Sequence, residues 1–164
     1  MSEIQQEIRQ LGEMATVEYF YTNAARFSDG RTLLGIRVSE RSFVLKWDGV
    51  IKAGIDIDGI GLELQEESRV LTVKLPKAKI LSHDPDLDSV EVVDQQNGLF
   101  DPVTVEDQTK FNAECEKEME KKVLERGLLE RAQENAEEIL GQLLEKLPGI
   151  REGGWKLEFQ TAEE

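Results

Sequence analysis

The stretch Phe43-Val44-Leu45-Lys46-Trp47-Asp48-Gly49-Val50-Ile51-Lys52-Ala53-Gly54-Ile55-Asp56-Ile57 decides the fold. Phe43, Leu45 and Trp47 occupy odd positions, and Ile51, Ala53, Ile55 and Ile57 keep that parity, as residues on one face of a strand do. Asp48-Gly49 between them has turn composition. A two-residue loop would pair odd positions with even ones and set Lys52 opposite Leu45. The three-residue loop Trp47-Asp48-Gly49, with Gly in the left-handed position of a bulge, pairs Leu45 with Ile51 and Phe43 with Ala53. A bulged hairpin is therefore expected here, with Lys52 and Asp56, both even-numbered, on its outward face.

Downstream, Ile60, Leu62 and Leu64 are even while Leu71, Val73 and Leu75 are odd, so an even-length turn around Glu66-Glu67-Ser68-Arg69 sets Leu64 opposite Leu71. Pro76 breaks the ladder, as suits a strand end. Ala78 to His83 and Ser89 to Asp94 read as short strands around the polar loop Asp84-Pro85-Asp86-Leu87-Asp88, and Asn97-Gly98 closes this half. Upstream, Ala15, Val17, Tyr19 and Tyr21 alternate with polar residues and Phe20, which predicts a strand; Ser28-Asp29-Gly30 predicts a turn, and Leu33 to Val38 a short strand or loop. Before them, Ser2 and Gln5 form a capping box for a short helix with Ile4, Ile8 and Leu11 as its stripe and Gly12 as its stop.

From an N-cap at Thr104 a helical pattern runs to Leu147. Phe111, Cys115, Met119 and Val123 step by four; Gly127 interrupts, and Leu128, Ala132, Ala136, Ile139, Leu143 and Leu147 resume on a broader face. Two packed helices and one kinked helix both fit. Pro148-Gly149 ends the segment, and Trp155-Lys156-Leu157-Glu158-Phe159 alternates as a closing strand. The expectation is one α+β domain over 1–164: an N-terminal helix (1–12), mainly strands (13–100), a helical segment (104–147) and a closing strand (155–160). Its sheet is expected to be mostly antiparallel, with six or seven strands, covered on one face by the long C-terminal helical segment.

The chain has 34 acidic and 20 basic residues and a net charge of −14, a field that repels nucleic acid and anionic membranes. Cys115 is the only cysteine, so it can form neither an internal disulfide nor a four-ligand zinc site. Residues 1–7 lack a signal peptide's basic flank and apolar stretch, and no window approaches a membrane helix. As given, the chain reads as soluble and cytoplasmic.

Val17-Glu18-Tyr19, Asp48-Gly49-Val50-Ile51-Lys52-Ala53-Gly54-Ile55-Asp56, Leu75-Pro76-Lys77-Ala78, Ile80-Leu81-Ser82-His83, Asn97-Gly98-Leu99-Phe100 and Gly127-Leu128-Leu129, in this order, form an ordered motif set. Over roughly residues 13 to 160 the chain resembles the bacterial family catalogued as domain of unknown function 4230. The resemblance implies no activity. It implies that many members carry an N-terminal membrane helix ahead of the domain; here residues 1–12 are polar, so the chain is either a soluble member or one whose anchor has been removed.

Charged residues in the strands supply the candidate sites. Lys52, Lys77 and Lys79 could hold an anionic group, with His83 beside them, or His83 could act as a base oriented by Asp84 in a hydrolase. Outward charges on a half-exposed strand, and a solvated or turn-capping His83 next to Asp84-Pro85, are the plainer readings. Asp84, Asp86 and Asp88 alternate like the first ligands of a calcium loop, but Ser89 stands where the turn glycine belongs and Gln95 where the bidentate Glu belongs, so turn aspartates are favoured over calcium. No nucleophile elbow, zinc-protease motif or phosphate loop occurs. Cys115, flanked by Glu114 and Glu116, reads as a small core residue. The expected function is a non-catalytic interaction or scaffolding domain that self-associates or binds a protein partner, with no cofactor. A small-anion binding protein is the alternative and a hydrolase the third reading.

Overall fold

The computed structural model describes residues 15–33, 36–96 and 105–162. The expected N-terminal helix, Asn97-Gly98 and the Thr104 cap lie outside them. Among the described residues six strands and three helices follow one another: β1 (Ala15–Leu33), β2 (Ile36–Gly54), β3 (Gly61–Gln65), β4 (Val70–Leu75), β5 (Lys79–Gln96), α1 (Val105–Glu125), α2 (Leu128–Leu144), α3 (Pro148–Gly153) and β6 (Lys156–Thr161). A 3-10 turn, Ile57–Gly59, links β2 to β3 and is capped by the Asp56 carboxylate, which accepts from the Asp58 N–H.

The α+β class is as expected, but the arrangement differs in three ways. The strands form two three-stranded sheets, in the orders β1-β2-β5 and β3-β4-β6, not one sheet. They are not all antiparallel: β3 pairs antiparallel with β4, whereas β6 pairs parallel with β4, setting Leu71 beside Leu157 and Val73 beside Phe159. The parallel pair follows from connectivity, since β6 re-enters after a helical crossover and not through a hairpin. Finally, the helical part is three separate helices, not one long C-terminal segment. Gly127 sits in the left-handed region at φ +79° between α1 and α2, where a side chain would be strained, and its carbonyl accepts from the Arg131 N–H at 3.2 Å.

The bulged hairpin at Asp48-Gly49 is also absent. β2 runs straight through it, and Leu45, Trp47, Gly49, Ile51, Ala53, Ile55 and Ile57 are all buried. Gly49 gives room to a ring: a Cβ there would stand within 3.0 Å of Tyr21 Oη, Cζ and Cε1. Ser28-Asp29-Gly30 likewise lies inside β1, and Asp84 to Asp88 inside β5. By contrast, the even turn at Glu66–Arg69 forms with Leu64 opposite Leu71, and β4 ends at Leu75, ahead of Pro76.

The described residues divide into two compact units. One holds the chain up to Glu18, Lys52–Ser82 and the part from Gly127 onward; the other holds Tyr19–Ile51 and His83–Arg126. In the first, Ile55, Ile57, Leu71, Val73 and Leu75 pack with Ala136, Leu140, Leu144 and Ile150 in one core. β4 is its central strand, flanked on both sides and buried at Leu71, Thr72, Val73 and Leu75. Shortening such a Leu to Ala costs about 2 to 5 kcal/mol. The second unit buries Tyr21, Leu45, Trp47 and Ile51 from its strands and Cys115, Met119 and Val123 from α1, the last three at the expected spacing of four.

Candidate functional site

The second unit holds a chain of polar contacts that links three elements through one imidazole. Tyr21 on β1 and His83 on β5 meet edge to face, with ring centroids 5.6 Å apart and Tyr21 Oη 2.7 Å from His83 Nε2. His83 Nδ1 lies 3.1 Å from Glu120 Oε1 on α1. A carboxylate only accepts, so Nδ1 donates to Glu120, and in that tautomer Nε2 accepts the Tyr21 hydroxyl proton. The same hydroxyl accepts from Trp47, whose indole N–H only donates.

This order of hydroxyl, imidazole and carboxylate is that of an activated nucleophile. The environment works against that chemistry. The His83 side chain is 6% exposed and Tyr21 is 8% exposed, and the polar atoms of both are engaged by protein partners. Tyr21 is held above its usual pKa of 10.0, chiefly by burial, opposed by the Trp47 hydrogen bond and reinforced by Glu116, Cys115 and Glu120. The hydroxyl therefore stays protonated, and each ring nitrogen has a partner. What the arrangement does is clasp β1, β5 and α1 together. His83 is thus not the solvated or turn-capping residue expected, and the carboxylate bound to it is Glu120.

The other candidates make different contacts. In the first unit, Lys52 pairs with Glu18 at 3.3 Å and Lys79 with Asp56 at 3.2 Å. Lys79 holds the Asp56 carboxyl below its usual range, first by its hydrogen bond and then by its charge. Asp56 is exposed and Lys52 half-buried, between fully buried Ile51 and Ala53, in keeping with the outward face expected for both; Lys77 is exposed. Two of the three lysines therefore serve separate carboxylates, and His83 belongs to the other unit. Asp86 accepts from the Asp88 N–H, and its carbonyl accepts from the Ser89 hydroxyl, so the acidic stretch keeps its turn chemistry inside β5. Among the described residues no three His, Cys, Asp or Glu side chains gather as a metal site would require. Cys115 is buried, and its thiol is pushed up to about 11 by burial, then by Glu118 and Glu114.

A second feature of this unit is apolar and open. β5 is an edge of its sheet, and Leu87, Val92 and Val93 on it are 71%, 58% and 62% exposed. Leu87 and Val90 line a shallow apolar cleft with Leu45, Trp47, Pro85 and Glu116. Ser89 receives the Asp48 N–H, while Lys46 and Arg26 reach Glu91 and Asp94. The segment from Ser89 to Asp94 was legible as a strand; its edge position was not, because sequence does not give strand order. Tyr21 was legible as a buried face residue and Glu120 was not, since it is one of many glutamates beside the α1 stripe.

One of the comparisons with known proteins gives a family, and none adds to function. Residues 6–151 match a family described as a protein of unknown function, DUF4230. No curated protein and no solved structure matches the chain. With most of its length covered by that match, the chain belongs to the DUF4230 family.

Proposed function

We propose that this chain is a non-catalytic interaction domain that self-associates, with β5 as its contact surface. The observation that carries this reading is the exposure of Leu87, Val92 and Val93 on an edge strand. An unpaired strand edge with large apolar side chains is a template for pairing with another chain, and soluble proteins ordinarily cover or charge it. The polar groups that could have supported catalysis are engaged in the Tyr21–His83–Glu120 clasp, and the strand lysines Lys52 and Lys79 in ion pairs.

Backbone amide exchange across a concentration series tests it. Protection within Val90–Gln96 that rises with protein concentration is expected. Exchange in β5 that is the same at one and at one hundred micromolar contradicts the proposal.

A further inference from the structure

We infer that the outer edge of β5 over Val90–Gln96 binds an extended segment of another protein in which basic and apolar residues alternate. This rests on β5 being the contact surface and names the partner that surface selects. Among the described residues β5 pairs only with β2, so its other edge has no strand beside it.

Two devices interrupt the hydrogen-bonding row of β5 before Ser89. Pro85 has no N–H to offer, and the Asp86 carboxylate occupies the Asp88 N–H. Neither device recurs after Ser89: Val90-Glu91-Val92-Val93-Asp94-Gln95-Gln96 contains no Pro and no Gly. A strand added there would gain main-chain hydrogen bonds and cover the exposed Val92 and Val93 side chains.

Charge decides between occupants. β5 carries Asp84, Asp86, Asp88, Glu91 and Asp94 and, after Lys79, no Lys or Arg. A second copy brings the same acids and a further net charge of −14. The antiparallel register that sets Val92 of each copy opposite Val93 of the other also sets Glu91 opposite Asp94, like charges that the exposed Lys46 and Arg26 pairs offset only in part. Self-pairing thus uses the apolar surface against the field, whereas a basic strand uses both.

The probe is a blocked synthetic peptide of about eight alternating lysines and valines, titrated calorimetrically into the full chain and mapped by amide exchange. Binding with new protection at Val90–Gln96 is expected. It should weaken at least about tenfold when alternate peptide nitrogens are methylated, because the main-chain bonds are then lost. A comparable loss is expected in Val92→Pro and, keeping the strand's own N–H groups, in Val93→Lys. Equal affinity for the methylated peptide, or protection elsewhere, would reduce the effect to diffuse charge attraction and overturn the inference. If the peptide fails to bind while the chain still dimerises through Val93, the basic partner is wrong and the contact surface stands; if the chain is also monomeric, both fall.

Discussion

The Tyr21 hydroxyl lies 2.7 Å from His83 Nε2 and serves as the hinge pin of the second unit's polar contacts. Removing it in Tyr21→Phe leaves His83 Nε2 and the Trp47 N–H without their partner in a buried setting. The loss expected is about 1 to 3 kcal/mol, read as a lower urea midpoint. Because His83 is the only histidine, its ring protons also give an unambiguous NMR readout and should shift in the variant. An unchanged midpoint and unchanged His83 resonances would show that the contact contributes nothing.

Gly49 depends on the same ring. In Gly49→Ala the new Cβ falls within 3.0 Å of three Tyr21 atoms, so the ring or β2 must move. A cost of about 1 to 3 kcal/mol is expected for such overpacking. Introduced into a Tyr21→Ala background, the same substitution should cost much less, and the difference measures the coupling. Additive losses in the double variant would place the strain elsewhere.

Alkaline pH provides a separate check. The Cys115 thiol has its pKa raised from 9.0 to about 11 in the folded chain, so folding favours the neutral thiol. That contribution is complete below pH 9 and disappears as pH rises toward 11. Tyr21, raised above 10.0, acts in the same direction at higher pH. Cys115→Ala should therefore show a shallower fall in stability between pH 9 and 11, whatever its stability at neutral pH. Thiol alkylation of the native chain near pH 8 should also be slow. Rapid alkylation with unaltered folding would contradict the buried, neutral thiol.

The strand lysines should behave as surface residues. Lys52→Ala, which removes a half-exposed pair with Glu18, should change stability by less than about 1 kcal/mol and leave the melting response to phosphate and carboxylates unchanged. For Lys79→Ala the expected change is in pH dependence. Asp56, whose carboxyl is lowered by Lys79, adds stability above the ordinary carboxylate range, and this is lost as pH falls through its lowered value; without Lys79, or in high salt, the lowering is reduced and this acid-induced loss should be smaller. A ligand-induced shift that Lys52→Ala abolishes would revive anion binding.

How far the sequence could be read depended on what each signal encodes. Parity encodes faces, so the turn at Glu66–Arg69, the register of Leu64 on Leu71 and the outward Lys52 and Asp56 were all recoverable. Turn composition misled at Asp48-Gly49, Ser28-Asp29-Gly30 and Asp84–Asp88, because Gly and Asp permit a turn without enforcing one. The unbroken odd parity from Leu45 to Ala53 was itself the mark of one continuous strand, and Gly49 is there for the Tyr21 ring. Strand order, the parallel β4–β6 pair and the Glu120 contact depend on long-range placement that no local pattern carries. The clasp and the open edge of β5 were therefore invisible, although Tyr21, His83, Val92 and Val93 were each assigned to strands.

Light scattering at tens of micromolar, compared between the unaltered chain and Val93→Lys, tests the central claim most directly. Salt of about 0.5 M shortens the screening length to a few ångströms and weakens the mutual repulsion of two acidic copies. The unaltered chain should then have about twice its 18.6 kDa mass, and Val93→Lys should have the mass of one chain. An unaltered chain that stays at 18.6 kDa, or a dimer that Val93→Lys leaves intact, would contradict self-association through β5.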